Sequence, residues 1–135
     1  MIFVDTSVWI DYFNGKITWQ TDYLDSLLDK ESIAIGDLVL TEVLQGFRSD
    51  TDFEQALKLF SPFPFFDMLG RDLAIQSAKN FRVLRKKGVT VRKTIDVMIA
   101  TFCLVCQLPL LHDDRDFDPI EKHLKLQVIK PGRSI

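Results

Sequence analysis

Little in this sequence suits disulfide or zinc chemistry: it has two cysteines, Cys103 and Cys106, and two histidines, His112 and His123. The cysteines lie one helical turn apart in an apolar stretch. There is no second cysteine pair, and the histidines stand at no zinc-ligand spacing. Both cysteines are therefore expected in the core, and the absence of disulfides fits a cytoplasmic location. Long hydrophobic runs are missing too. The longest uncharged stretch, 97–111, falls short of the ~20 residues a membrane span needs and contains Pro109. The N-terminus has no basic segment, and its apolar run is too short for a signal peptide. Excess positive charge is absent: 17 Lys and Arg face 19 Asp and Glu, for a net −2 and a pI near 5.6. Any attraction for phosphate must then be local, through a patch or a metal. No glycine-rich turn follows the first apolar run, which excludes a dinucleotide site. A phosphatase-like use of Asp5 as nucleophile would want a second acid where Ser7 stands.

What the sequence does hold is enough apolar material, 47% of residues, for a real core in one domain spanning 1–135. Its organising stretch is Met1-Ile2-Phe3-Val4-Asp5-Thr6-Ser7. A short continuous apolar run suits a strand buried on both faces, as in a central parallel strand. Asp5 would then stand at the strand's carboxyl end, the edge where open α/β sheets bind ligands. Apolar spacing predicts helices over 6–13, 18–29, 38–47, 51–60, 71–87, 95–107 and 117–123. Thr6, Asp37 and Thr94 are the expected caps of three of them. Strands are expected at 1–4, 33–35, 109–112 and 126–129, with Phe65-Phe66 as an edge strand beside Pro62 and Pro64. Asp29-Lys30-Glu31 reads as a solvated turn. This alternation predicts an α/β fold with a parallel sheet and right-handed crossovers.

Four acids stand out. Asp96 is the only charged residue between Thr94 and Leu111, in the first turn of a helix apolar nearly all round. The helix N-terminus favours an anion there by roughly 0.3–1 kcal/mol, too little to balance full desolvation. Glu42 lies on a narrow polar stripe of a helix otherwise made of Leu38, Val39, Leu40, Val43, Leu44 and Phe47. Asp114 follows the strand expected at 109–112 and would share Asp5's edge of the sheet. Unit charges 5 Å apart repel by about 3 kcal/mol at an effective dielectric of 20. Converging carboxylates therefore call for a cation, and an imidazole-free oxygen set suits Mg²⁺ or Mn²⁺.

The ordered set Val4-Asp5-Thr6-Ser7, Leu40-Thr41-Glu42-Val43, Ile95-Asp96-Val97-Met98-Ile99-Ala100 and Leu110-Leu111-His112-Asp113-Asp114-Arg115-Asp116-Phe117 resembles the PIN-domain ribonucleases. Within them it resembles the VapC toxins of type II toxin–antitoxin systems, over essentially the whole chain. The resemblance implies a Rossmann-like α/β/α sandwich around a central parallel sheet of four to five strands. It implies a Mg²⁺- or Mn²⁺-dependent endoribonuclease, leaving a 5′-phosphate and a 3′-hydroxyl. Asp5, Glu42, Asp96 and Asp114 would be its catalytic and metal-holding residues. Asp116 matches an acid that sometimes assists, and Thr6 or Ser7 would hold Asp5 or a water at the ion. Asp113 departs from the pattern, adding a negative charge where many relatives have a neutral or basic residue. Alternation along an extended segment puts 114 and 116 on one side and 113 on the other.

Basic residues concentrate in 79–93, which contains no acid: Lys79, Arg82, Arg85, Lys86, Lys87, Arg92 and Lys93. Leading into the Asp96 helix, this run is expected to guide RNA toward the metal, with Arg115 as a further contact. Trp9, Tyr12, Phe13, Trp19 and Tyr23 could form an exposed patch for an antitoxin. The resemblance implies a VapB-like antitoxin and a homodimer, and nothing implies a membrane. A PIN-like module that binds RNA or protein without cutting is the rival reading, although a binder has no need of all four acids.

Overall fold

Ile2–Val4 forms the first strand, β1, and its three residues are fully buried, as a strand covered on both faces requires. The computed structural model describes residues 1–30 and 32–132. After β1 come α1 (Thr6–Phe13), α2 (Trp19–Leu27), β2 (Ile33–Gly36), α3 (Asp37–Gln45) and α4 (Asp50–Phe60). Then follow β3 (Phe65–Phe66), α5 (Arg71–Lys86), α6 (Thr94–Cys106), β4 (Leu110–Leu111), a 3₁₀ turn (Arg115–Phe117) and α7 (Asp118–Leu124). Glu31 of the charged turn lies outside the described residues.

Among the described residues four strands run parallel, in the order β3-β2-β1-β4, flanked by the helices. The chain builds outward from β1 through β2 to β3. It then crosses back through α5 and α6 to lay β4 on the other side of β1. The order therefore reverses between β1 and β4, and the crevice beyond their carboxyl ends is where such sheets place ligands. Register pairs Phe3 with Leu110 and Val4 with Leu111, and Asp5 N–H reaches Leu111 O at 2.9 Å. The residues after the two strands thus emerge side by side.

An aromatic cluster fills the space beside α1. Trp9 meets Phe60 edge-on at 4.9 Å and lies within 6.3 Å of Tyr12, Phe13 and Phe63. The expected exposed patch is corrected here: Trp9 is wholly buried, and of its companions Trp19 is the most exposed. Other expectations shift for local reasons. Residues 126–129 make a single parallel bridge, Leu110 to Val128, rather than a strand. Asp5, Gly36 and Lys93 are the N-caps of α1, α3 and α6, so Thr6, Asp37 and Thr94 each fall one residue inside their helix. Cys103 is buried, but Cys106, at the end of α6, is exposed. Only Val39 and Val43 of α3 are fully buried, so that helix is covered less than its apolar content predicts.

Gly36 marks a close approach. A Cβ there would fall on the Sδ and Cγ of Met68, itself only 1% exposed. Met68 is held by its N–H, which donates to Asp37 Oδ1 at 3.0 Å. Gly36→Ala is expected to destabilise the fold by about 1–3 kcal/mol through overpacking, read from urea denaturation.

Candidate active site

Asp5 is 4% exposed and caps α1 from the end of β1. Its Oδ2 accepts from Ser7 N–H at 3.0 Å and from Ser7 Oγ at 2.6 Å. The same Ser7 hydroxyl accepts from Asp113 N–H at 3.0 Å, tying the segment after β1 to the one after β4. Thr6 Oγ1 donates to Glu42 Oε1 at 2.7 Å and holds the α3 carboxylate toward Asp5. The Asp-Thr-Ser run thus fixes three things at once: a carboxylate, a second carboxylate and the opposing loop.

Asp96 sits in the first turn of α6 and is 5% exposed. Its Oδ2 is buried with no hydrogen-bond donor aligned on it; the Lys93 ammonium, 3.3 Å away, is an ion-pair contact. The same ammonium reaches Asp114 Oδ2 at 2.6 Å. Asp114 caps the 3₁₀ turn, its Oδ1 accepting from Asp116 N–H at 2.9 Å, and its own N–H donates to His112 Nδ1 at 3.2 Å. Asp96, Asp114 and Asp116 bring one oxygen each within 4.8 Å of one another, the closest acid set among the described residues. Glu42 and Asp5 stand outside that set. They join it electrostatically, the charge on Glu42 acting on Asp5 and that on Asp5 acting on Asp96. Asp113 is exposed while 114 and 116 turn in together.

The two buried carboxyls, Asp5 and Asp96, both resist ionisation. Burial, then the neighbouring charges of Asp5 and Asp114, push Asp96 up to about 7 against the pull of Lys93. Burial raises Asp5 as well, with Ser7's hydrogen bonds opposing it and Glu42 adding to the rise. Asp114 moves the other way: its burial is outweighed by Lys93 and the Asp116 amide. A buried, unsatisfied carboxylate oxygen and an all-oxygen donor set fit a hard divalent cation. His112 Nδ1 is already engaged by the Asp114 amide, and burial lowers that imidazole's pKa.

The stability consequence has a definite sign. Between the unfolded value, 3.8, and about 7, the folded chain holds a proton on Asp96 that the unfolded chain has lost. Stability without metal therefore falls as pH rises through that window. Asp96→Asn in EDTA is expected to be more stable than the parent by up to about 4 kcal/mol at pH 8, since each of the roughly three pH units between 3.8 and about 7 is worth about 1.4 kcal/mol. The gain should shrink to nothing near pH 4, as measured by urea melts. A loss at pH 8 would mark Asp96 as a structural acid.

The basic residues divide between two places. Arg92, Lys93 and Arg115 line an open cavity of about 860 Å³ together with Asp113, Asp114 and Asp116. Arg82 and Arg85 instead border a largely apolar cavity of about 540 Å³ between α5 and α6, with Phe81, Val97 and Met98. Lys86 and Lys87 are exposed at the end of α5. Two residues of the site escaped the sequence reading. His112, two before Asp114, positions it. Gln20 Nε2 on α2 reaches His112 O at 3.4 Å. A polar residue in the strand-end segment was a usable signal for the first; nothing local signals the second.

Comparison with known proteins gives the family. The family model described as PIN domain matches residues 2–122. Ribonuclease VapC11 of Mycobacterium tuberculosis is 30% identical over 132 residues, 94% of this chain and 96% of that protein. A VapC ribonuclease of Mycobacterium bovis matches to the same extent, 30% over 94% of this chain and 96% of that one. Among solved structures, VapBC2 from Rickettsia felis bound to a promoter DNA fragment aligns with a TM-score of 0.75 at 19% identity, over 96% of this chain and 98% of that one. DNA-bound VapBC from Salmonella typhimurium gives 0.73 at 18% identity, again over 96% and 98%. At that identity the two structures speak to the fold.

Proposed function

This chain belongs to the PIN-domain family, with VapC ribonucleases among its relatives, and on that premise we propose that it is a divalent-metal-dependent endoribonuclease of the VapC toxin type. The observation that carries the reading is the convergence of buried Asp96 with Asp114 and Asp116, within electrostatic reach of buried Asp5, in the crevice beyond β1 and β4.

Asp5, Glu42, Asp96 and Asp114 are the residues that would hold Mg²⁺ or Mn²⁺, with Asp116 assisting. When bound, such an ion acidifies water at neutral pH and neutralises charge on the phosphate and the leaving oxygen. The chain's own groups do the rest. Ser7 aims Asp5 through two hydrogen bonds, Thr6 aims Glu42, and the His112 ring and Asp116 amide hold the Asp114 loop in place. Arg92 and Arg115, which line the acidic cavity, would take phosphates of the RNA backbone. Arg82, Arg85, Lys86 and Lys87, on and just after α5, would bind RNA farther from the acids. The whole of 1–135 acts as one catalytic domain in the cytoplasm, as a homodimer silenced by a VapB-like antitoxin. Among the described residues no helix is long and apolar enough to cross a membrane.

The test is cleavage of a structured RNA by the purified chain with Mn²⁺, with EDTA and with Asp96→Asn. Cleavage is expected with Mn²⁺ alone, at least about 10³-fold above the other two conditions. RNA bound but never cut under any divalent ion would favour a non-cleaving module.

A further inference from the structure

Lys93 stands in an unfavourable place for a cation. It caps α6 with its backbone and makes no side-chain capping bond. A helix N-terminus carries partial positive charge and prefers Ser, Thr, Asp or Asn at that position. What offsets this is the pair of acids its ammonium bridges, Asp114 at 2.6 Å and Asp96 at 3.3 Å. The Asp96 oxygen it faces is buried and has no hydrogen-bond donor of its own. The ammonium therefore lies between two of the carboxylates assigned to the divalent ion. Its stem is less confined: the side chain is 47% exposed and opens onto the cavity shared with Arg92 and Arg115. A long aliphatic stem of this kind can carry its head from the acids to water.

We propose that Lys93 is a built-in stand-in for the divalent cation, occupying its place in the metal-free protein and leaving when the ion enters. This rests on the ion site proposed above. In the resting state the ammonium offsets part of the charge of Asp96 and Asp114, so the fold tolerates an acid cluster without metal. Ion binding must break that pair, so Lys93 weakens affinity and sets the free ion concentration at which the site fills. The displaced ammonium joins Arg92 and Arg115 in the cavity that they line. One residue thus opposes the ion in the empty site and adds positive charge beside it in the filled one.

The test is Mn²⁺ binding by isothermal titration calorimetry on the full-length chain. Lys93→Met is expected to bind Mn²⁺ about tenfold more tightly than the parent, or about 1.4 kcal/mol. Lys93→Gln, a second neutral variant should the first fold poorly, should show the same gain, and Lys93→Arg should show little. Lys130→Met removes a lysine paired with Glu121 at 2.8 Å and controls for net charge, so it should bind like the parent. Adding Asp96→Asn to Lys93→Met should abolish the gain. Parent binding intact with both neutral variants no tighter overturns the role of Lys93 and leaves the ion site standing. No Mn²⁺ binding by parent or variants overturns both.

Discussion

Asp5→Asn is expected to cut the rate of RNA cleavage by roughly 10³-fold or more while leaving the fold in place, because several kcal/mol of charge stabilisation at the phosphate depends on this carboxylate. The substitution is chosen for what it preserves. Asp5 is the N-cap of α1, accepting from Ser7 N–H, and asparagine caps about as well as aspartate. Its side-chain oxygen can still accept from the Ser7 hydroxyl, so the tie to Asp113 survives. What disappears is the negative charge, on a residue 4% exposed that already resists ionisation through burial and the nearby Glu42. Single-turnover cleavage of a labelled RNA, alongside a urea melt in EDTA, separates the two roles. The account expects lost activity with unchanged or slightly raised stability. Asp5→Ala would confuse the test, because losing the cap costs about 1 kcal/mol on its own.

The second large effect concerns the fold. Trp9→Ala should destabilise the chain by about 3–5 kcal/mol, a large share of the total for a domain this size. Trp9 is wholly buried, and its ring is the hub of a cluster with Tyr12, Phe13, Phe60 and Phe63. The cluster ties α1 to α4 and the segment before β3, so its collapse would loosen the helix whose first turn carries Asp5, Thr6 and Ser7. Trp9→Phe should cost far less. It leaves a smaller cavity and also removes an indole N–H that is buried without a partner. Chemical denaturation of both variants gives the comparison.

How much of this was legible in the sequence depends on the kind of signal involved. β1 and its position in the middle of a parallel sheet followed from three apolar residues ending on an acid, because burial on both faces leaves no other pattern. Asp96 was legible for a related reason: one charge in a long apolar stretch has nowhere to go but a site or a cost. Caps proved less readable. Thr94 is a better capping residue than Lys93, yet the helix starts one residue earlier, where Asp96 in its own first turn and Asp114 from the segment after β4 reward a cation. The bridge at Val128 shows the limit for strands, since pairing with one residue of β4 leaves no periodic trace. The basic run was legible as charge but not as geometry. Its members at 82 and 85 border an apolar cavity while those at 92 and 93 reach the acids, a division set by the loop between α5 and α6. Trp9 misled because aromatic residues in a short helix look alike whether they face solvent or core.

The central claim is that carboxylates far apart along the chain share one divalent ion. Crystals of the protein grown with Mn²⁺ test it directly, through anomalous scattering recorded at the manganese edge. The account predicts a peak at about 2.1 Å from carboxylate oxygens of Asp5 and Asp96, as hard-cation coordination requires, with the Asp114 carboxylate facing it and the Lys93 ammonium displaced. A peak elsewhere on the surface, or none there at millimolar Mn²⁺ with Lys93 still bridging Asp96 and Asp114, would contradict it.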